Sequence, residues 1–329
     1  MFSFVAMSIG LKVLLYALAA LLLAFLTYVI LIGFSLFRYA TRRTEESAPL
    51  NTAGATGDIL KRNENAEAKK DHLLTLPHEL WEMRQDQVTL YAHYFPAIKK
   101  DAVFAGATAV LVHGWRDVHF SRSPAAMVYL DAGFSVLMPI LRGHAPSGGK
   151  RIDLGCKKRG DILSWMEKLR EEQGAPSYFV LDGLSMGAAN VLNLSGDPDL
   201  PSDVKVILAD CGYASLIEQG RWMIRGMKPV IRQMSFAFTL FFFFTFMGYT
   251  RSDATPIRQV AKAKVPLMII HGLEDNFVPT KMGETLYEAC ASEQKELLLV
   301  EGAKHAMSEF ILGEAYWTRK FAFIKKALS

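Results

Sequence analysis

The chain has 329 residues, 51% of them hydrophobic and 21% charged, with a net charge of +4. That length suits one large domain plus an appendage, and Lys and Arg are scattered rather than blocked, which argues against a nucleic-acid partner. The three cysteines, Cys156, Cys211 and Cys290, lie far apart with no C-x-x-C pair, which argues against a zinc site, a thioredoxin-like redox pair and a disulfide framework.

From Val13 to Phe37 no charged residue interrupts the chain, and Lys12 and Arg38 bound the run. As a helix it would extend about 37 Å, against a hydrocarbon core of about 30 Å. A cleavable signal peptide is the competing reading, but its apolar region is normally about 7 to 15 residues and ends in a small-residue cleavage site. Here the run ends in Phe37-Arg38-Tyr39, so residues 1–40 read as a permanent anchor with a single span at 13–37. Arg38, Arg42 and Arg43 follow the span and only Lys12 and the amino terminus precede it. The positive-inside rule then puts the bulk of the chain in the cytoplasm, whereas a signal-anchor reading puts it outside.

Residues 41–70 are polar, with little apolar periodicity, and read as a tether or loosely helical stalk. The folded domain is expected over residues 71–329, beginning near His78-Glu79-Leu80-Trp81. Val88 to Tyr94 alternates like a half-buried strand. Ala109–Val112, Phe134–Pro139, Tyr178–Leu181, Val204–Leu208, Pro266–Ile270 and Leu297–Val300 are short apolar runs bounded by Gly, Asp or Pro. Strands covered on both faces have this composition. Helical patterns such as Asp161–Arg170 and Lys281–Ala291 lie between them. The alternation predicts an α/β fold, a mostly parallel doubly wound sheet with its chemistry at the carboxyl ends of the strands.

Gly183-Leu184-Ser185-Met186-Gly187 follows the run ending at Leu181 and precedes a helical stretch. The G-x-S-x-G pattern alone is weak; its strand–turn–helix setting makes it a nucleophile elbow, with Gly183 and Gly187 small because neighbouring elements crowd the turn. Ser185 is the expected nucleophile. Upstream, a strand ends in His113-Gly114-Trp115. The backbone N–H groups of Trp115 and Met186 are the candidate oxyanion donors, and His113 is read as a loop-ordering residue. After Ser185 the only histidines are His271 and His305. In the chain order Ser, acid, His, Asp275 becomes the acid and His305 the base. Glu274 and Asp210 are the rival acids, and His271 is read as structural. No metal or organic cofactor is required.

From residue 87 onward the chain resembles the α/β-hydrolase superfamily, and more narrowly it is similar to bacterial membrane-anchored cell-surface hydrolases. The resemblance is carried by His113-Gly114-Trp115, Arg142-Gly143-His144, Gly183 to Gly187, Asp210-Cys211-Gly212-Tyr213, His271 to Asp275 with Val278-Pro279, and His305. Pro139-Ile140-Leu141-Arg142-Gly143-His144-Ala145 departs from it, since relatives often show Asp before the Arg and Gly after the His. The resemblance implies a serine hydrolase cleaving an ester or related acyl bond, and it leans toward an extracytoplasmic domain. An acyltransferase, peptidase or thioesterase would use the same residues. A non-catalytic membrane-anchored binding module is the alternative from another class. The expected partners are a small acyl substrate, with lipids among the candidates, and the membrane.

A cap insertion is expected over residues 214–260. Gln233 to Thr250 carries no charge and includes Phe236 to Met247. Its length is borderline for a second span, but the flanking strands belong to one sheet and a single span cannot return. A buried cap helix over the site is one reading; a cap that also dips into the membrane interface is the other.

Overall fold

The computed structural model describes residues 8–45, 57–99, 101–117, 119–157 and 159–329. The chain divides into two compact units. One comprises the chain up to Ala40 together with Met223–Gly248; the other comprises Thr41–Trp222 and Tyr249–Ser329.

The larger unit is built on an eight-stranded sheet in the order β1-β2-β4-β3-β5-β6-β7-β8. Its strands are β1 (Glu79–Gln85), β2 (Val88–Phe95), β3 (Thr108–Val112), β4 (Ser135–Ile140), β5 (Phe179–Leu184), β6 (Val204–Asp210), β7 (Leu267–Gly272) and β8 (Lys295–Val300). β2 runs antiparallel to both β1 and β4, and all other pairs are parallel. The expected runs all appear as strands, displaced by up to three residues at their ends. They are continuous rather than alternating because the sheet has a core on each face. On β3, Val110 and Val112 join one cluster, while Ala109 and Leu111 join the other. The order reverses around β3, from which the chain passes first to β4 and then to β5, so the carboxyl ends of β3 and β5 flank a switch point.

One strand of this unit, β1, lies outside the expected runs. β1 pairs with β2 through a two-residue turn in which Asp86 and Gln87 both have positive φ, 48° and 62°. That geometry matches the twist of the flanking strands. The segment before β1 makes contacts of its own with this unit. Thr44 bridges to His144, and Arg43 donates to the carbonyls of Ser147 and Gly149 at 2.7 and 3.1 Å. A helix over Gly57–Leu73 buries Ala66 and Leu73. Residues 46–56 lie outside the described ones.

The smaller unit pairs two helices, α1 (Ile9–Thr41, whose last residue belongs to the larger unit) and α7 (Pro229–Met247). Both are long and apolar enough to cross a membrane. Between them in sequence come α2 (Gly57–Leu73), α3 (Ser123–Asp131), α4 (Gly160–Gln173), α5 (Met186–Leu194) and α6 (Leu216–Met223). After them come α8 (Ile257–Val260), α9 (Thr280–Ala289), α10 (Ser308–Leu312) and α11 (Glu314–Leu328). Val29, Gly33 and Phe37 form a buried row on α1, and Ser235, Thr239 and Phe243 form one on α7. Small residues let the backbones approach. A Cβ on Gly33 would meet the Ser235 carbonyl oxygen at 2.6 Å, and the Thr239 hydroxyl donates to the Gly33 carbonyl at 3.2 Å. One turn further along, Phe37 packs against Phe242, Phe243 and Phe246. Within its unit, the Phe-rich insertion is therefore the packing partner of the amino-terminal helix.

A buried charge cluster holds β5 from below. Asp182 accepts from Arg122 at 2.9 Å, Tyr129 at 2.9 Å and Lys320 at 2.5 Å, and all three charged groups are almost wholly buried. Burial alone would raise the Asp182 pKa; Lys320 and Arg122 overcome it and hold it below the ordinary carboxylate value. Removing one partner of such a cluster strands the others without water. Asp182→Ala should cost about 3–5 kcal/mol in unfolding free energy, read as a lowered denaturation midpoint.

Candidate active site

The loop after β5 is sterically dictated. Ser185 sits at φ 56°, ψ −114°, between the strand and α5, a conformation disfavoured for a residue with a Cβ. Two close approaches allow the turn. A Cβ on Gly183 would meet the Gly187 carbonyl oxygen at 2.3 Å, and one on Gly187 would meet the Val112 carbonyl oxygen at 2.1 Å. Only glycine fits either position.

Ser185, Asp275 and His305 come together. Ser185 Oγ lies 2.8 Å from His305 Nε2, and His305 Nδ1 lies 2.7 Å from Asp275 Oδ2. Asp275 follows β7 and His305 follows β8. The other carboxylate oxygen of Asp275 accepts the N–H groups of Phe277 and Val278 at 2.9 and 2.8 Å. Burial would raise the Asp275 pKa, but His305 and hydrogen bonds from His271 and His305 outweigh it, leaving the pKa well below 3.8. An ionised Asp275 fixes the proton on His305 Nδ1. That leaves Nε2 with its lone pair toward the serine hydroxyl, the arrangement that generates a nucleophile for acyl transfer.

The other sequence-predicted residues are placed as follows. Met186 opens α5, so its N–H is among those lacking an intrahelical acceptor. Gly114 lies against the elbow, its Cβ position 3.6 Å from Ser185 Cβ, which brings the loop bearing Trp115 beside the serine. His113 Nδ1 is 2.9 Å from the Gly114 carbonyl, and its Nε2 accepts the Leu141 N–H at 3.1 Å. Burial lowers its pKa, in keeping with a neutral ring that braces two loops. The carboxylate oxygens of Asp210 accept from Ser308 and Tyr316 at 3.2 and 3.0 Å, and burial raises its pKa. The Glu274 N–H is held by the Ala303 carbonyl at 3.0 Å.

His271, read from the sequence as structural, and four residues that escaped that reading, Gln219, Trp222, Arg62 and Phe277, brace the site. His271, fully buried, lies 3.4 Å from Asp275 Oδ2 and 2.9 Å from the Val278 carbonyl. Gln219 and Trp222 on α6 donate to the Phe277 and Asn276 carbonyls at 2.7 and 2.9 Å. Arg62 on α2 donates to the carbonyl of Ala306 at 3.3 Å, next to His305. Phe277 packs on the His305 ring at 4.8 Å and stacks with Trp115 at 6.2 Å, forming an apolar wall. The contacts of Gln219, Trp222, Arg62 and Phe277 join segments distant in sequence and carry no local motif. Cys211, Asp275 and His305 present ligand atoms within 4.8 Å of one another. Burial holds the Cys211 thiol well above its ordinary pKa, and the other two are bonded to each other, so this trio is poorly suited to a metal.

A family model described as serine aminopeptidase, S33, matches residues 241–309, the stretch bearing Asp275 and His305. An uncharacterized protein of Bacillus subtilis is 26% identical over 201 residues, 61% of this chain and 65% of that protein. The match thus spans just under two thirds of that relative. A thermostable monoacylglycerol lipase of a Bacillus species is 24% identical over 212 residues, covering 60% of this chain and 81% of the lipase. Among solved structures, the esterase Pf2001 of Pyrococcus furiosus superposes with a TM-score of 0.61 at 22% identity, over 78% of this chain and 94% of the esterase. The sheet order and these similarities define an α/β-hydrolase fold. The chain thus has the fold of the α/β-hydrolase superfamily, which it resembles, and carries a long apolar helix, Ile9–Thr41, in its smaller unit.

The depressed pKa of Asp275 has a consequence for stability. A carboxylate whose folded pKa lies below its unfolded value contributes stability that is fully present above the unfolded value. That contribution is lost as pH falls through the folded one. Stability should therefore decline as pH drops below about 4, and Asp275→Asn should flatten that decline, as measured by acid unfolding of the two proteins.

Proposed function

We propose that this protein is a membrane-anchored serine hydrolase that cleaves an ester or related acyl bond. The observation that carries the reading is the hydrogen-bonded chain from Ser185 Oγ through His305 to Asp275, 2.8 and 2.7 Å, at the tips of three parallel strands. Ser185 attacks the acyl carbon as its proton passes to His305 Nε2. Asp275 holds the imidazole in the accepting tautomer and stabilises the imidazolium that forms. The N–H groups of Met186 and Trp115 receive the developing oxyanion, and His305 returns the proton to the leaving group. Water then repeats the sequence on the acyl-enzyme.

The wall of Trp115 and Phe277 beside His305 favours an apolar acyl or alcohol group, and the monoacylglycerol lipase among the relatives supports an ester of that kind. The aminopeptidase description of the family model favours a second reading, peptide cleavage. A panel of acyl esters and aminoacyl amides separates the two. Helix α1 exposes Val13, Leu21 and Leu31 by about 60% or more, which supports its burial in lipid as the anchor.

A fluorophosphonate should label Ser185, and Ser185→Ala should abolish labelling and lower turnover by about 10⁴ to 10⁶. Labelling that survives the substitution would remove Ser185 from the mechanism. Asp275→Asn should reduce kcat by about 10⁴ through the wrong imidazole tautomer. Asp210→Asn should leave kcat far closer to wild type. The reverse order in steady-state kinetics would move the acid to the end of β6.

A further inference from the structure

A helix of 33 residues extends about 50 Å, some 20 Å more than a hydrocarbon core needs. The apolarity of α1 alone therefore does not fix which stretch lies in the bilayer. Its partner helix supplies a marker. α1 and α7 run parallel: Gly33 packs level with Ser235 to Thr239, and Phe37 level with Phe243 and Phe246. The end of α7 that points back toward Ile9 is consequently its amino-terminal end, away from its phenylalanines.

That end is cationic. Arg225 and Lys228 are exposed, Arg232 is half-buried, and no Asp or Glu occurs between Glu218 and Asp253. Arg232 lies level with α1 residues near 28–30, as the Gly33 register shows. From there back to Lys12 is roughly 25 Å of helix, close to the thickness of a hydrocarbon core. The intervening face of α1 is uncharged and exposed, with Leu18, Leu22 and Leu23 all more than half accessible. Lys12 on one side and the α7 cations on the other thus bracket a bilayer-sized apolar stretch.

We propose that Arg225, Lys228 and Arg232 form a collar that binds the headgroups of anionic lipids where α1 leaves the hydrocarbon, an inference that rests on reading α1 as the membrane span. Charge complementarity and continuity with the apolar face of α1 select this occupant, and exposed Val230 beside the cations adds an apolar contact at the interface. In this arrangement the Phe-rich carboxyl-terminal half of α7 lies beyond the headgroups, packed on Phe34 and Phe37, instead of dipping into lipid.

The test uses the full chain in neutral detergent, titrated with phosphatidylglycerol and with phosphatidylcholine and read by native mass spectrometry. Wild type should retain phosphatidylglycerol at least tenfold more tightly. Each of Arg225→Gln, Lys228→Gln and Arg232→Gln should cut that preference by about fivefold, equivalent to about 1 kcal/mol per cation near a lipid surface. The double variant Arg225→Lys with Arg232→Lys should keep it, and the single change at exposed Lys228 gives a reading should the others misfold. Equal retention of both lipids by wild type, an unchanged preference after Lys228→Gln, or displacement by an equal concentration of inorganic phosphate would each overturn the collar. Alkaline carbonate extraction of membranes from expressing cells separates the two readings. Release of the chain overturns anchor and collar together, whereas retention without a phosphatidylglycerol preference overturns the collar alone.

Discussion

A serine held at positive φ between a strand and a helix is the constraint around which the hydrolase unit is arranged. Such a residue costs about 1–3 kcal/mol and persists only where its surroundings over-determine it. Here they do so from three directions. Gly183 and Gly187 bring the turn within contact of itself and of the end of β3. The Ser185 N–H bonds to the Asp210 carbonyl at the tip of β6, and the Cys211 N–H bonds in turn to the Ile270 carbonyl on β7. Leu273 continues the series to Val300 on β8. Each strand is thus stitched to the next just where it ends, and the loops that carry serine, acid and histidine inherit a fixed offset.

Electrostatics then separates carboxylates that look alike in sequence. Asp182, Asp210 and Asp275 are all buried on or just after strands of the sheet. Asp182 is surrounded by cations and lies on the strand three residues before the serine, so its charge is neutralised structurally. Asp210 accepts from the hydroxyls of Ser308 and Tyr316, and burial raises its pKa. Asp275 is the one of the three hydrogen-bonded to His305, with His271 at 3.4 Å and backbone N–H groups on its other oxygen. The carboxylate that remains charged beside a histidine is the one able to orient it.

Much of this was legible in the residues because parallel sheets leave strong marks. Runs such as Ala109–Val112 are apolar at every position, since both faces meet a core. G-x-S-x-G followed by a helical stretch, with Asp275 and His305 at later strand ends, is a local pattern with a defined chain order. What was not legible depended on weak or distant signals. β1 reads Glu-Leu-Trp-Glu-Met-Arg-Gln and turns through Asp86-Gln87, without the glycine that usually marks such a hairpin. α2 reads as a tether or loosely helical stalk because only Ala66 and Leu73 among its described positions are buried. The insertion was recognisable as an apolar helix, but its partner Gly33 stands more than 200 residues earlier. Composition cannot name a partner at that distance.

The segment between β6 and β7 shows why an insertion can be tolerated beside a demanding site. Its first helix, α6, belongs to the sheet's own accounting of polar groups. Gln219 and Trp222 occupy the carbonyls of Phe277 and Asn276, which would otherwise stand unmatched in the loop after Asp275. The middle of the segment answers to a different partner, the small-residue row of α1, and uses van der Waals contact and one hydroxyl bond instead of a polar network. Tyr249 marks the return, its hydroxyl donating to Asp153 at 2.6 Å. The apolar helix is therefore bounded on both sides by hydrogen bonds to the hydrolase unit. A long uncharged stretch inserted between adjacent parallel strands leaves their register intact because the residues that fix the acid loop lie outside it.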